Sequence, residues 1–264
     1  MTESTSTRWS LAAELEQTKA AIKAAPGDSS LRVSFFQLLC VSGDWKRAAA
    51  QLELIESLDP ASAMFAQAYF RAVKCEAARR EVFAGSIAPV IFGEPDEWIA
   101  GMLESLRQGC QGDWDAASKA QSAAFEAAPT SSATINGKDA EWLADMDSRL
   151  GPILEAFIEG QYRWIPFNRL KRLVIDEPRH VVDTVWIGAH FTWTNGGTLR
   201  GLIPVRYPGV ESCGNEDAMW ARVTEWQERV PGFFTGVGQR TIATDGGEFG
   251  ILDIREIVMN VNGA

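Results

Sequence analysis

One phrase occurs twice in this sequence at matching spacing, and it constrains what the first half can fold into. The two copies are Gly43, Trp45, Ala48 and Pro60, and then Gly112, Trp114, Ala117 and Pro129. In each copy the alanine comes five residues and the proline seventeen residues after the glycine. A further proline, Pro26, precedes Pro60 by 34 residues, and Pro129 follows Pro60 by 69, close to two such periods. A period of 34 residues is typical of tetratricopeptide helix–turn–helix arrays.

The residue types of the phrase suit helical hairpins. Glycine takes positive φ at the end of a helix without steric cost, and proline stops the second helix. The small alanine lets two helices approach, and we expect the tryptophan to fill the wedge between neighbouring hairpins. Since one hairpin cannot bury its apolar face alone, hairpins must stack. We therefore predict a TPR-like α-α superhelix over residues 8–129, the alternative being an ordinary helical bundle in which the phrase recurs by chance.

The composition changes after Pro129, where a small polar linker leads into a part richer in glycine, tryptophan and β-branched residues. The patterns predict an α+β domain with a mostly antiparallel sheet over residues 135–260. Asn195-Gly196-Gly197 indicates a hairpin turn between two strands. The predicted strands are residues 162–167, 170–175, 181–194, 199–205 and 251–258. The predicted helices are residues 141–150, 152–159 and 222–228.

Charge and targeting signals exclude several classes of partner. The net charge of −10 argues against nucleic acid or an anionic membrane, because both require clustered lysine and arginine. It is compatible with a basic protein partner. Residues 1–7 lack the features of a signal peptide, and no apolar run reaches the length of a membrane span. We expect a cytoplasmic protein without membrane insertion, whose four cysteines are free thiols.

The strongest candidate for chemistry is Asp145-x-Asp147-x-Arg149. Two carboxylates in a DxD pair can hold a divalent cation. However, residues i and i+2 of the predicted helix point in different directions, whereas Asp145 and Arg149 are i,i+4 and can pair. We therefore favour structural salt bridging over a metal site. The glycine-rich stretches near residues 236–248 match no nucleotide-binding motif, and neither histidine sits in a catalytic motif, so no cofactor is predicted.

Aromatic and arginine residues cluster in the second half and are typical of recognition surfaces. The residues we expect near a partner are Trp193, Arg206, Tyr207 and Trp226. The alternative is that these rings fill the core of a small sheet.

Several phrases of the second half, taken in order, resemble one family. They include residues 142–152 with Trp142, Asp145, Asp147, Arg149, Gly151 and Pro152, then residues 162–167, 193–197, 203–208, 224–226, 238–240 and 244–248. Together with residues 36–40 and 43–45, they resemble the ImpE family, also called TagJ, of type VI secretion accessory proteins. The resemblance spans roughly residues 10–258.

The resemblance implies a non-enzymatic cytosolic protein. Members of the family bind the N-terminal helical segment of the small, TssB-type sheath subunit, and are linked to sheath handling by the ClpV unfoldase. The leading hypothesis is thus an adaptor that captures a short amphipathic segment. Two alternatives stay open: a metal-dependent hydrolase using Asp145 and Asp147, and a scaffold that oligomerises through its helices.

Overall fold

The computed structural model describes residues 10–260. Residues 8 and 9, with which the predicted superhelix begins, and the segment 1–7 lie outside the described residues. Helices fill the first half: α1 Leu11–Ala24, α2 Ser29–Ser42, α3 Trp45–Leu58, α4 Ala63–Phe83, α5 Glu97–Cys110 and α6 Trp114–Ala127. Consecutive helices from α1 to α4 pack against each other, and so do α5 and α6, most extensively α2 on α3 and α5 on α6.

The repeated phrase is a junction between two helices. Gly43 ends α2 with φ of 73°, and Gly112 follows α5 with φ of 82°, as predicted. The intervening aspartate then caps the next helix. Asp44 accepts a hydrogen bond from the Arg47 amide at 3.1 Å, and Asp113 accepts one from the Ala116 amide at 3.0 Å. The aspartate therefore satisfies one of the unpaired amides at each helix start.

The alanines and prolines of the phrase do what the sequence predicts. Ala48 and Ala117 are fully buried, α3 ends one residue before Asp59-Pro60, and α6 ends shortly before Pro129. The 34-residue period does not continue between the two copies. It is interrupted because α4 is 21 residues long, against 14 in the other helices of this half, and an irregular segment with a short strand follows it.

The predicted role of the two tryptophans is wrong. The Trp45 ring lies 5.5 Å from the ring of Trp186, and the Trp114 ring lies 5.8 Å from that of Phe233, centroid to centroid. Both partners belong to the second half of the chain. Because each tryptophan is the first residue of its helix, its ring reaches past the hairpin to the sheet instead of filling a wedge between hairpins.

The second half is built from strands and one short helix, and a short strand of the first half, Val90–Ile91 (β1), joins its main sheet. The strands are β1 Val90–Ile91, β2 Ala133–Ile135, β3 Lys138–Ala140, β4 Leu143–Asp145, β5 Ile153–Ile158, β6 Gln161–Pro166, β7 Leu170–Ile175, β8 Trp186–Trp193, β9 Thr198–Pro204, β10 Thr224–Val230, β11 Phe233–Gly238, β12 Thr241–Thr244, β13 Gly247–Gly250 and β14 Glu256–Met259. Helix α7 is Glu216–Met219.

The main sheet has nine described strands in the order β1-β6-β5-β9-β8-β7-β14-β2-β3. Every neighbouring pair is antiparallel except β1 with β6. Strands β13, β12 and β4 form a smaller antiparallel sheet, and β10 pairs with β11 alone. Helical hairpins followed by an α+β part with a mostly antiparallel sheet are thus confirmed. The domain limits stay a prediction.

Three predicted helices of the second half are wrong. Residues 141–150 form β4 and a tight turn, residues 152–159 contain β5, and residues 224–228 lie in β10. Strand β5 misled the sequence analysis because all six of its residues are buried. A strand that packs on both faces lacks the alternation of apolar and polar residues by which a half-buried strand is recognised.

Two apolar cores lie on opposite faces of the main sheet. Ile153 and Phe157 of β5 join the core beneath the helices, with Phe36, Leu39 and Ile55. The intervening Leu154, Ala156 and Ile158 join a second core with the smaller sheet. The first core includes side chains from both halves of the chain, so the helices and the sheet pack directly against each other.

Candidate functional site

A network of charged side chains lies between the helices and the sheet. Glu155 on β5 is at its centre. The Arg79 guanidinium on α4 donates to both of its carboxylate oxygens, at 2.7 and 3.0 Å. Arg240 pairs with Glu155 as well, and the Tyr162 hydroxyl donates to it at 2.6 Å. Glu155 and Arg240 are fully buried and Arg79 is 4% exposed. The two arginines and the tyrosine therefore compensate for the burial of this carboxylate.

The network continues onto α4 and β8. Glu76 lies one helical turn before Arg79, with 3.6 Å between the two charged groups. Its carboxylate accepts a hydrogen bond from the Trp186 indole at 2.8 Å. Both residues are buried, so this part of α4 faces the sheet.

The Asp145–Gly151 segment is a turn held by arginine. Asp145 pairs with Arg240 and accepts from the Tyr207 hydroxyl at 2.7 Å. Asp147 instead binds the Arg149 guanidinium, at 2.5 and 2.8 Å, and accepts from the Gly236 amide at 2.8 Å. The expected Asp145–Arg149 pair is wrong, because the segment is not helical and Arg149 folds back two residues.

Both carboxylates of the DxD pair thus contact guanidinium groups. Within residues 10–260 no set of three His, Cys, Asp or Glu side chains is arranged to hold a metal ion.

The other family-motif residues support the turn. Gly151 has φ of 52°, and a Cβ there would collide with the Phe125 ring of α6. Pro152 accepts from the Phe167 amide at 3.1 Å, while Trp142 is 40% exposed.

The environments of the two central carboxylates shift their pKa values in opposite directions. Burial raises the pKa of Asp145 to about 6, against the attraction of Arg240. Burial would also raise the pKa of Glu155, but Arg79 and Arg240 together outweigh it and lower that pKa to about 2. Glu155 has two arginine partners and Asp145 has one, which accounts for the difference in sign.

The residues expected near a partner lie mainly inside the molecule. Arg206 follows β9 and donates to the carbonyls of Val41, Cys40 and Met219 at 2.8, 3.1 and 2.6 Å. Two of these carbonyls belong to the last turn of α2, where a cation also interacts favourably with the helix dipole. Burial lowers the pKa of Arg206 to about 10.

The three aromatic residues of that set are not brought to one surface. Tyr207 is fully buried, and its ring meets Trp226 at 5.5 Å. Trp193 is 4% exposed and stacks on Phe92 with 3.8 Å between ring centroids. Trp226 is partly buried. Partner contact through these residues stays a prediction, and the positions the structure gives them are those of core and helix-end residues.

The sequence analysis missed Arg79, Glu155 and Glu76, which carry the network. A usable signal existed for Glu155, the lone charge in the apolar run of residues 153–158. A buried carboxylate requires a partner. Arg240 was noted only as part of a glycine-rich turn, and nothing local to the sequence pairs it with residue 155.

A cleft of about 750 Å³ lies between α4 and the main sheet. We call it the α4 cleft. Its helix side includes Ala68, Arg71 and Ala72, and its floor includes Phe157 and Leu202. Its size is that of a pocket for a small ligand or a few side chains.

Within residues 10–260, none of the helices combines the length and apolar character needed for a membrane crossing.

Comparisons with known proteins agree with this architecture. The sequence model of the ImpE protein family matches residues 137–258. The type VI secretion system accessory component TagJ of Pseudomonas aeruginosa is 41% identical over 237 residues, which cover 89% of this chain and 83% of that protein. A crystal structure of a Vibrio parahaemolyticus protein superposes with a TM-score of 0.86 at 26% identity, covering 94% of this chain and 93% of that one.

These likenesses place the chain in the class of type VI secretion accessory proteins. Within that class, the chain belongs to the ImpE family, in which TagJ is a curated relative.

Proposed function

We propose that this protein is a cytoplasmic, non-catalytic adaptor of a type VI secretion apparatus. It binds the N-terminal segment of the small, TssB-type sheath subunit and thereby assists the ClpV unfoldase in handling the sheath. The observation that carries the proposal is the open α4 cleft at the junction of the helical hairpins and the sheet, in a chain of the TagJ family.

The chemistry of the buried network supports a non-catalytic role. Its four carboxylates, Glu76, Asp145, Asp147 and Glu155, each have a buried or partly buried arginine within 4 Å. A general base or a metal ligand needs a lone pair that can reach substrate or cation. Here the arginines, amides and hydroxyls occupy those positions, which is the arrangement of a structural network.

The proposal is tested by titrating the full-length protein with a synthetic peptide of the N-terminal segment of the small sheath subunit from the same secretion gene cluster. We expect saturable binding in calorimetry, and none with a scrambled peptide of the same composition. Because this chain carries a net charge of −10, we expect a basic segment to bind more weakly as salt is raised. If neither the peptide nor the intact sheath subunit binds, the proposal is wrong. An affinity that salt leaves unchanged would remove only its electrostatic part.

A further inference from the structure

The two banks of the α4 cleft differ in charge. On the helix bank Arg71 is exposed and, within residues 10–260, forms no ion pair. The opposite bank carries the carboxylates of Glu159, Asp176, Glu177 and Asp183, against the cations of Arg179 and Arg200. Three of these carboxylates have a cation within 4 Å: Asp176 has Arg200 at 3.2 Å, Glu159 has Arg163 at 3.8 Å and Glu177 has Arg179 at 3.9 Å. The lining of the strand bank thus holds four carboxylates against two arginines, whereas the helix bank presents Arg71.

The floor of the cleft between the two banks is apolar, and a glycine in it leaves one position without a protruding side chain. Phe157 and Leu202 face each other across the pairing of β5 with β9, on the side of the sheet that the helices cover. Gly188 pairs with Leu202 on the neighbouring strand, and a Cβ there would run into the Asp176 carboxylate. A larger residue is thus excluded from this floor position by the packing of the sheet.

We propose that the α4 cleft is the binding site of an amphipathic helical segment. Its apolar side chains lie on the floor, its basic residues face the strand bank, and an acidic residue pairs with Arg71. The cleft extends along α4 from Ala68 to Cys75, about 10 Å at the rise of a helix, so it takes about two turns of the segment. This rests on the proposed function, with the N-terminal segment of the small sheath subunit as the occupant.

Charge complementarity selects this occupant. A purely apolar segment would leave Arg71 without a partner beneath it. A second copy of this chain would bring its own net charge of −10 to the strand bank. A segment with an apolar stripe and basic residues along one side of it would place those basic residues against the carboxylates of the strand bank.

The first test introduces a large side chain into the cleft at a position outside the buried network. Ala68 is exposed on α4 and lines the cleft, whereas Ala77 is exposed on the same helix and does not. Calorimetry with the sheath-subunit peptide should show that Ala68→Trp weakens binding by about tenfold or more, the loss typical of a blocked hot spot. Ala77→Trp should bind like the wild type. Both variants should keep the wild-type melting temperature.

A charge reversal tests the polarity of the banks. Arg71→Glu should weaken the peptide by about fivefold, the upper range for an exposed ion pair. Arg80→Glu, exposed on the same helix outside the cleft, should leave the affinity unchanged.

The outcomes separate the two proposals. If the wild type binds the peptide and Ala68→Trp binds it equally well, the cleft is not the binding site, and the proposed function stands. If the wild type binds neither the peptide nor the intact sheath subunit, the proposed function fails and the cleft proposal with it. If Ala68→Trp retains the peptide but converts a dimer into a monomer in light scattering, the cleft holds a second copy, and the proposal is overturned.

Discussion

Glu155 shows how a single charged residue can organise the centre of a protein. It is the one charged residue of β5, and its neighbours 153 and 157 point into the same apolar core. An unpaired carboxylate there would cost several kcal/mol. Arg79 from α4 and Arg240 from the start of the smaller sheet supply the countercharge, so three distant parts of the chain meet at one side chain.

We expect Glu155→Gln to destabilise the protein by about 3–5 kcal/mol, because it leaves two buried arginines without their shared partner. Urea denaturation followed by circular dichroism measures this. Glu104→Gln is the matched control, since Glu104 also pairs with an arginine but on the surface, and exposed pairs contribute little. Equal effects of the two substitutions would contradict the role we give Glu155.

The same pair of proteins tests the pKa shift. The pKa of Glu155 is lowered in the folded state from 4.5 to about 2. Its stabilising contribution is therefore complete above the unfolded pKa and is lost as pH falls towards the folded one. The stability difference between wild type and Glu155→Gln should shrink by about 2 kcal/mol from pH 7 to pH 3. Asp145 has a raised pKa and the opposite pH dependence, but it is present in both proteins. A difference independent of pH would show that the carboxylate is not ionised.

At the scale of single elements, the helix junctions depend on their aspartates. Asp44 and Asp113 each accept one amide hydrogen bond at the start of the following helix. We expect Asp44→Ala and Asp113→Ala to cost about 1 kcal/mol each, the usual effect of losing an N-cap. Chemical denaturation measures both. Asp115→Ala is the control, because Asp115 lies in the first turn of α6 without capping it, and it should cost markedly less. No difference between the caps and this control would refute the assignment.

The elements also show what a sequence can predict. The strand at residues 170–175 and the Asn195–Gly197 turn were predicted correctly, because side-chain pattern and turn residues encode them locally. Strand β5 and the turn after β4 were misread as helices. Their conformation is decided by what surrounds them, namely cores on both faces of β5 and the arginine that closes the Asp145–Gly151 turn. The partners of Arg206, three carbonyls on α2 and α7, are likewise a product of tertiary packing.

Across the whole molecule, several buried polar contacts cross from the helical half to the sheet. Arg79 binds Glu155, Glu76 binds Trp186, and Arg206 binds the end of α2. The core beneath the helices includes Trp164 and Trp186 from the sheet. Separating the halves would expose this core to water. It would also leave charged groups unpaired in each half, and breaking a buried ion pair in this way is strongly destabilising.

We therefore expect the protein to unfold in one cooperative transition, although the sequence predicts parts 8–129 and 135–260. Urea curves from far-ultraviolet circular dichroism, which follows mainly the helices, and from tryptophan fluorescence, which follows mainly the sheet, should coincide. Because Arg79→Met breaks the junction at Glu155, it should shift both curves together to lower urea. A helical transition separate from the fluorescence transition would show that the halves are independent domains. In that event the cleft between them would be a hinge, and peptide affinity would vary with the angle between the halves.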